Sequence, residues 1–551
     1  MNAEPDAAGL SPSRGWLLGL FALALALRGG SAWFASTGSP FWSQVNVDDR
    51  AYHEWALRIA GGQWSDGEVF FLSPLYPYAL GALYRLFGAS MGLAVVLQCI
   101  LSAATIPMLA ALGGRLFGSR AGLLTGLLGA FYGPLIFFSE CLLSETLHLF
   151  LVCAGLLQLQ RAASEGRLAS AFGAGGLLGL AAVARAYFLA SGVLLGLWLW
   201  WMVRQQPGRR VLPMGFALGL LLALAPSALH NRWAGGDVVL VNSSGGINFF
   251  LGNHAGANGR IHPPPGVSVE GLLTPEKMRE TFALKAQAET GQAMGAAGLS
   301  SHYYSEARAW MLRHPGDWLS LLGLKLLQVV EALEYPGDRN AYQAQRWSPI
   351  LRWTPVGWTL VLALAVGACF MPTVRRRGVG LVHVINGIGL LVLLAFLVTD
   401  RFRLVLIPGC LLLAGIGADG LMRARGESPR LGAMGRLLVL ATVSLSLSIG
   451  AGRPKESYMS HFNLALKYDL RGDLVQSETC LRESLLMRPG FMRGHLKLAE
   501  VLQGLGRKSE AQAEVQIARR LAREQGIRLG PEGGRGSQAG NAEGRRGSLK
   551  R

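Results

Sequence analysis

Asp48 and Asp49 stand side by side in Val47-Asp48-Asp49-Arg50-Ala51-Tyr52-His53-Glu54, just after a first apolar stretch at about 16–36. Adjacent carboxylates next to a bilayer are poor anchors; they are placed to take a proton from something that reaches the membrane surface. A second acidic site is Ser139-Glu140-Cys141-Leu142-Leu143-Ser144-Glu145-Thr146. Glu145 opens an apolar helix there, where a carboxylate is costly unless it faces a polar cavity. Cations accompany these acids: Arg185 in Ala184-Arg185-Ala186-Tyr187, Lys325, and Arg401 with Arg403 in Thr399-Asp400-Arg401-Phe402-Arg403. Carboxylates that accept a proton, with guanidinium and ammonium groups that hold a phosphate, suit a phosphate-bearing lipid and transfer from it to a nucleophile. Each group has a plainer reading: the aspartates could solvate a loop or cap a helix, Glu145 could pair with a neighbouring arginine, and the arginines could snorkel to headgroups.

The elements that position these groups are apolar helices. The 551 residues are 51% hydrophobic and only 16% charged, with mean hydropathy +0.33, where an ordinary soluble protein carries about 25% charged residues. Apolar runs recur near the length of a bilayer crossing, which specifies an all-α, polytopic membrane domain over 16–450. Spans are expected at about 16–36, 91–113, 120–138, 142–160, 168–184, 187–203, 211–229, 352–371, 379–399, 403–421 and 433–450. The first is read as an uncleaved span rather than a signal peptide, because Arg28 interrupts it and no clear small-x-small site follows. Arg28 is then expected to be a structural ion-pair partner.

Arginine clusters at Arg115/Arg120, Arg161/Arg167, Arg204/Arg209/Arg210, Arg375–Arg377 and Arg423/Arg425/Arg430/Arg436 all become cytoplasmic if residues 1–15 are inside. The stretch Trp318–Leu333 would push Arg375–Arg377 outward if it crossed, so it is read as interfacial or re-entrant. Eleven spans leave the carboxyl terminus outside, and they make 37–90 and 230–351 the large external segments, which carry loop helices. All the candidate groups then share the external side, and independent solvation would not put so many matched groups on one face. Tyr52 and Glu140 join them as substrate-contact candidates, as do Asn242, Asn248 and Asn253 in a Gly- and Asn-rich external stretch. That stretch suggests tight turns and backbone close to a ligand, or equally a solvated loop.

The net charge of +18 does not indicate a nucleic-acid partner, because the arginines fall in short loops between apolar runs and in the tail. Six scattered cysteines have no paired spacing, so neither disulfides nor a zinc site is expected. His53 and His148 read as polar packing residues, and no metal cluster is indicated; the one cofactor a carboxylate pair could recruit is a divalent cation.

Beyond residue 455 the character changes. From Tyr458, a 34-residue template finds Leu464, Ala465, Tyr468, Gly472, Ser477, Leu481, Ser484 and Pro489, and one period later Leu498, Ala499, Leu502, Gly506, Ala511, Val515 and Ala518. Residues 456–526 therefore resemble two tetratricopeptide repeats, a small α-helical domain suited to a protein partner. Residues 527–551, rich in Gly, Ser and Arg, are expected to be a disordered basic tail.

Across about 15–425, the order of motifs resembles the GT-C superfamily of integral-membrane glycosyltransferases, in particular bacterial relatives of protein O-mannosyltransferases and of the aminoarabinose transferase of lipid A. One span is followed by an external Asp-Asp-x-x-Tyr motif, a proline-aromatic stretch (Ser73-Pro74-Leu75-Tyr76-Pro77-Tyr78), Leu-Ser-Glu-Thr at a span entrance, an arginine at a helix end, and Arg-Phe-Arg before Pro408. The resemblance implies a polyprenyl-phosphate sugar as donor, an acceptor of unspecified kind, and a site facing the periplasm from a bacterial inner membrane. It makes Asp48 the catalytic base, with Asp49 standing where the family has Glu, and makes Glu145, or Glu140, the second external acid. Arg185, Lys325, Arg401 and Arg403 would hold the donor phosphate. Rival readings are a polymerase or ligase joining preassembled glycans, a lipid or glycan transporter, and an assembly scaffold that works through its repeats. A transporter often has paired internal repeats, and none is evident here.

Overall fold

The computed structural model describes residues 12–42, 47–267, 272, 274–335, 339–369, 379–423, 429–450 and 456–524. Among them the only β pairing is one isolated bridge, Tyr132 to Val356, so the expected all-α, polytopic architecture is what the chain adopts. Six helices among the described residues are long and apolar enough to cross a membrane: Arg14–Gly38, Met91–Phe117, Glu145–Glu165, Ala186–Val203, Pro207–Ala234 and Asp400–Arg423. Four more expected spans are shorter apolar helices, Leu168–Ala184, Trp358–Cys369, Gly380–Ala395 and Met434–Ile449.

The eleventh, 120–138, is broken into Ser119–Ala130 and Gly133–Phe138. Pro134 explains the break: it has no N–H for the Ala130 carbonyl, and its ring would clash with that carbonyl in a continuous helix. Arg28 fills the vacancy. Its Nη1 donates to the Ala130 carbonyl at 3.2 Å, its Nη2 to Gly129 at 3.4 Å and its Nε to Ser102 Oγ at 2.7 Å. The expected ion pair of Arg28 is therefore corrected: the buried guanidinium satisfies the carbonyls at the end of a helix, where the dipole favours a cation. His148 does pack, with Nδ1 2.9 Å from the Ala181 carbonyl and its ring edge-on to Phe188.

The chain divides into two compact units, Met1–Thr37 with Val45–Arg453, and Gly38–Gln44 with Pro454–Arg551. In the first, Leu168–Ala184 packs on Leu212–Ala234 through a Gly-x-x-x-Gly sequence on each helix, Gly175/Gly179 and Gly215/Gly219. A Cβ at Gly175 would lie 1.9 Å from the Phe216 carbonyl, and one at Gly219 would lie 2.1 Å from that of Phe172. Such small residues let backbones touch where lipid supplies no hydrophobic drive for association. Several helices fall in the segment 230–351, expected from the sequence to be external. Gly245–Gly252, Pro275–Thr290 and Ala296–Arg313 share a core of Ile247, Leu251, Phe282, Leu299 and Tyr303. Gly246 serves that packing, since a Cβ there would meet the Ser300 carbonyl at 1.9 Å. Pro315–Val330, the helix expected to be interfacial, is not among the candidate crossings.

The second unit contains Tyr458–Leu470, Leu474–Met487, Met492–Gly504 and Lys508–Glu524. The two hairpins begin at Tyr458 and Met492, 34 residues apart, and each turns at a glycine of positive φ, Gly472 and Gly506. Ala465, Ser477, Ala499 and Ala511 are buried. The basic tail at 527–551 and the cluster Arg375–Arg377 lie outside the described residues.

The helix contact yields a prediction. Gly175→Ala should lower the thermal stability of detergent-purified protein by about 1–3 kcal/mol through overpacking. Gly173→Ala, on the same helix but with nothing within 4 Å of the added carbon, should not.

Candidate active site

Asp48 and Asp49 occupy the first turn of the helix Val47–Ala60, where the positive end of the helix dipole favours carboxylates. Neighbouring residues on a helix diverge by roughly 100°, and the pair splits accordingly. Asp48 lines a cavity of about 420 Å³ together with Tyr52, one turn further on. Asp49 points elsewhere, is fully buried, and accepts from Arg339 Nε at 2.6 Å.

Glu145 is the first residue of the helix Glu145–Glu165, again at a dipole's positive end, and only 2% exposed. Its Oε1 accepts from Arg401 Nε at 2.6 Å and forms an ion pair with Arg185 Nη2. Arg401 Nη1 reaches across to Asp48 Oδ2 at 2.7 Å. Asp48, Arg401, Glu145 and Arg185 thus form one chain of two carboxylates and two guanidiniums. Arg185 is aimed by a local break: its extended backbone, φ −147° and ψ 101°, separates the helix Leu168–Ala184 from the turn Ala186–Phe188. Burial, then the neighbouring Arg401, lowers its affinity for a proton. Burial likewise raises the Tyr52 phenol above its ordinary value, against the pull of Arg185.

The Arg-Phe-Arg motif splits as the aspartates do. It forms the single turn Asp400–Arg403, capped by Thr399, and residues two apart on a helical turn do not share a face. Arg401 lines the cavity. Arg403 does not: its Nη1 meets Glu334 Oε2 at 3.1 Å, its Nη2 donates to the carbonyls of Gln328 and Leu333, and its guanidinium sits 5.2 Å from the Trp358 ring centre. Lys325 is also away from the cavity, fully buried, donating to the Leu394 carbonyl at 2.8 Å and to Asn253 Oδ1 at 3.4 Å. Burial brings its pKa down to about 7. The sequence-based set of four phosphate ligands therefore contains two residues in the cavity, Arg185 and Arg401, and two that brace the structure around it.

Of the substrate-contact candidates, Tyr52, Asn242 and Asn248 line the cavity, while Asn253 and Glu140 do not. Asn253 is held by the Phe249 and Ala395 carbonyls. The Glu140 carboxyl is raised to about 8 by burial, against the opposing effects of Ser31 and Arg339. Ser73, Tyr187 and Tyr304 also line the cavity; Ser73 and Tyr187 stand in the quoted motifs but none of the three is a site candidate from sequence. Ser73 Oγ accepts from Asn242 Nδ2 at 2.9 Å, so the two form one polar wall. Tyr187 follows Arg185 by two residues and could have been found from that motif. Arg339 lies in an aperiodic polar stretch that offers no such signal.

A divalent cation does not fit this donor set, because the two carboxylates are already neutralised by two guanidiniums. Among the described residues no group of three or more potential metal-ligating side chains comes together.

Residues 72–233 match the family model described as dolichyl-phosphate-mannose-protein mannosyltransferase, and this segment carries Ser73, Glu145 and Arg185. No match was found among curated proteins. Similar solved structures include the oligosaccharyltransferase AglB from Archaeoglobus fulgidus in complex with an inhibitory peptide and a dolichol-phosphate, at 14% identity and TM-score 0.41, covering 83% of this chain. Another is the Archaeoglobus fulgidus oligosaccharyltransferase tethered to an acceptor peptide by a disulfide, at 14% identity and TM-score 0.39, covering 84%. The chain spans 59% of the length of each.

Two outcomes follow from the bracing groups. Arg339→Met should destabilise the protein by about 3–5 kcal/mol, because it leaves the buried Asp49 without its partner; thermal unfolding in detergent measures this, and adding Asp49→Asn should restore part of the loss. Lys325 gives a pH signature. Folded, with a pKa of about 7, it binds fewer protons than the unfolded side chain at 10.5, so stability rises with pH between those values. Below about pH 7 both states hold the proton and the fold bears the full cost of the buried charge. Lys325→Met should therefore gain on the wild type as pH is lowered from about 9 to about 6. Parallel melting curves for the two proteins would contradict this.

Proposed function

We propose that this protein is an integral-membrane glycosyltransferase of the GT-C type, moving a sugar from a polyprenyl-phosphate-linked donor to a lipid, glycan or protein acceptor at the external face of a bacterial inner membrane. The observation that carries the reading is the chain Asp48–Arg401–Glu145–Arg185, three members of which line a cavity with a polar Asn242–Ser73 wall. The family match over residues 72–233 supports it.

On this reading the donor's isoprenoid tail lies among the apolar helices and its phosphate against Arg185 and Arg401. Asp48 takes the acceptor's proton as the acceptor attacks the anomeric carbon, through the oxocarbenium-like state usual for glycosyl transfer. The bond from that carbon to the phosphate oxygen breaks, and the guanidiniums stabilise the charge that grows on the leaving phosphate, so no strong general acid is needed. A single displacement from the opposite face inverts the anomeric centre. Glu145 does not line the cavity and acts as a positioning residue behind the two guanidiniums. Asp49, Lys325 and Arg403 act as braces. The hairpins of residues 456–526 act as a tetratricopeptide-like docking unit for a protein partner.

The test is to incubate purified protein with radiolabelled polyprenyl-phosphate sugars and membrane extract and to identify what becomes labelled. Asp48→Asn should lower transfer by about a hundredfold or more, the scale of a lost general base, with expression retained and lipid binding not weakened. Full activity in that variant would remove Asp48 from the role, and no labelled product with any donor would remove the reading.

A further inference from the structure

We infer that Asp48 is a latched base: Arg401 holds it in the resting molecule, and the donor's phosphate releases it by taking Arg401 for itself. The inference rests on the proposed donor class and concerns how the site is switched on.

Arg401 uses two different edges. Its Nε is directed to Glu145, which is buried and does not line the cavity, while Nη1 is directed to Asp48, which does. Glu145 therefore anchors the guanidinium from behind, and Asp48 occupies the side on which a ligand in the cavity would bind. The Asp48 side chain is 22% exposed against 3% for Glu145, so it is the partner an incoming anion can displace. The exchange is balanced in charge: a sugar phosphodiester carries one negative charge and two non-bridging oxygens, as a carboxylate does.

The resting arrangement also leaves donor capacity unused. Arg185 Nε is buried without a hydrogen-bond partner, although Arg185 lines the same cavity. Buried donors are ordinarily satisfied, so the orphaned Nε is a cost that the resting arrangement carries. A phosphate that binds between Arg185 and Arg401, both of which line the cavity, takes Arg401 Nη1 from Asp48.

The consequence is an order of events. A carboxylate gripped by a guanidinium has its lone pairs engaged and is a poor proton acceptor. Asp48 becomes competent only when the donor phosphate is seated, so the acceptor is deprotonated only where there is a sugar to receive it.

A double-mutant cycle on the full chain in detergent tests this, with undecaprenyl phosphate as probe and undecaprenol as its uncharged control. Asp48→Asn removes the competitor for Arg401 and should tighten undecaprenyl phosphate binding about tenfold, on the scale of a partly exposed, hydrogen-bonded charge pair, while undecaprenol binding stays unchanged. In an Arg401→Gln background, where Glu145 keeps Arg185 as a partner, the same substitution should have no effect beyond about twofold. Equal tightening in both backgrounds would mean that only the lost negative charge matters, and would overturn the latch. Unchanged binding in Asp48→Asn, with the wild type binding well, would overturn it too. Failure of the wild type and every variant to bind undecaprenyl phosphate in preference to undecaprenol would instead remove the donor reading beneath it.

Discussion

The ion-paired chain from Asp48 through Arg401 and Glu145 to Arg185 is the constraint on which the rest of the membrane domain depends. Four charges taken from water are expensive, and each is tolerable only while its partners stay in place. Arg401 lies more than 350 residues from Asp48 in the chain. The fold must therefore bring the first turn of the helix Val47–Ala60, the mouth of the Glu145 helix, the break at Arg185 and the short turn at Asp400–Arg403 to one point. A network of this kind does more for specificity than for stability, since apolar residues of similar volume would pack as well without the desolvation. It excludes alternative arrangements, because a slip of any one helix leaves a charge buried alone.

Much of this was legible in the sequence, and the boundary has a physical cause. Apolar run length identifies helices because backbone hydrogen bonds must close within each segment in lipid. The positions of the carboxylates and arginines at helix ends therefore followed directly. What sequence proximity misjudged was direction. Asp48 and Asp49, or Arg401 and Arg403, look like doubled ligands along the chain, but a helical backbone turns one member of each pair away from the cavity. Arg28 was misread for a related reason. A cation in a span suggests an acid, yet the need it meets is the Ala130 carbonyl exposed by Pro134, which only the three-dimensional break reveals.

The glycines carry a similar lesson. Density of Gly and Asn between residues 242 and 253 is compatible with backbone approaching a ligand or with a solvated loop. Gly246 instead allows one helix to lie against the Ser300 carbonyl, while Asn242 and Asn248 nearby face the cavity. Composition is shared by the two roles; only burial separates them.

The turned-away members of the two pairs converge on one segment. Asp49 is held by Arg339, and Arg403 by Glu334 and the carbonyls of Gln328 and Leu333, while the Asp400 amide donates to the Tyr335 carbonyl at 2.9 Å. Gln328, Leu333, Glu334, Tyr335 and Arg339, at and after the end of the helix Pro315–Val330, thus brace from behind both motifs whose other members face the cavity. They have no hydrophobic period to reveal them, because their work is done by scattered carbonyls and charges rather than by an apolar face. The doubled motifs then have a reason: in each, one residue faces the cavity and its companion fixes the helix turn that aims it. A change in this brace would reach Asp48 and Arg401 together, since both take their direction from turns that it holds.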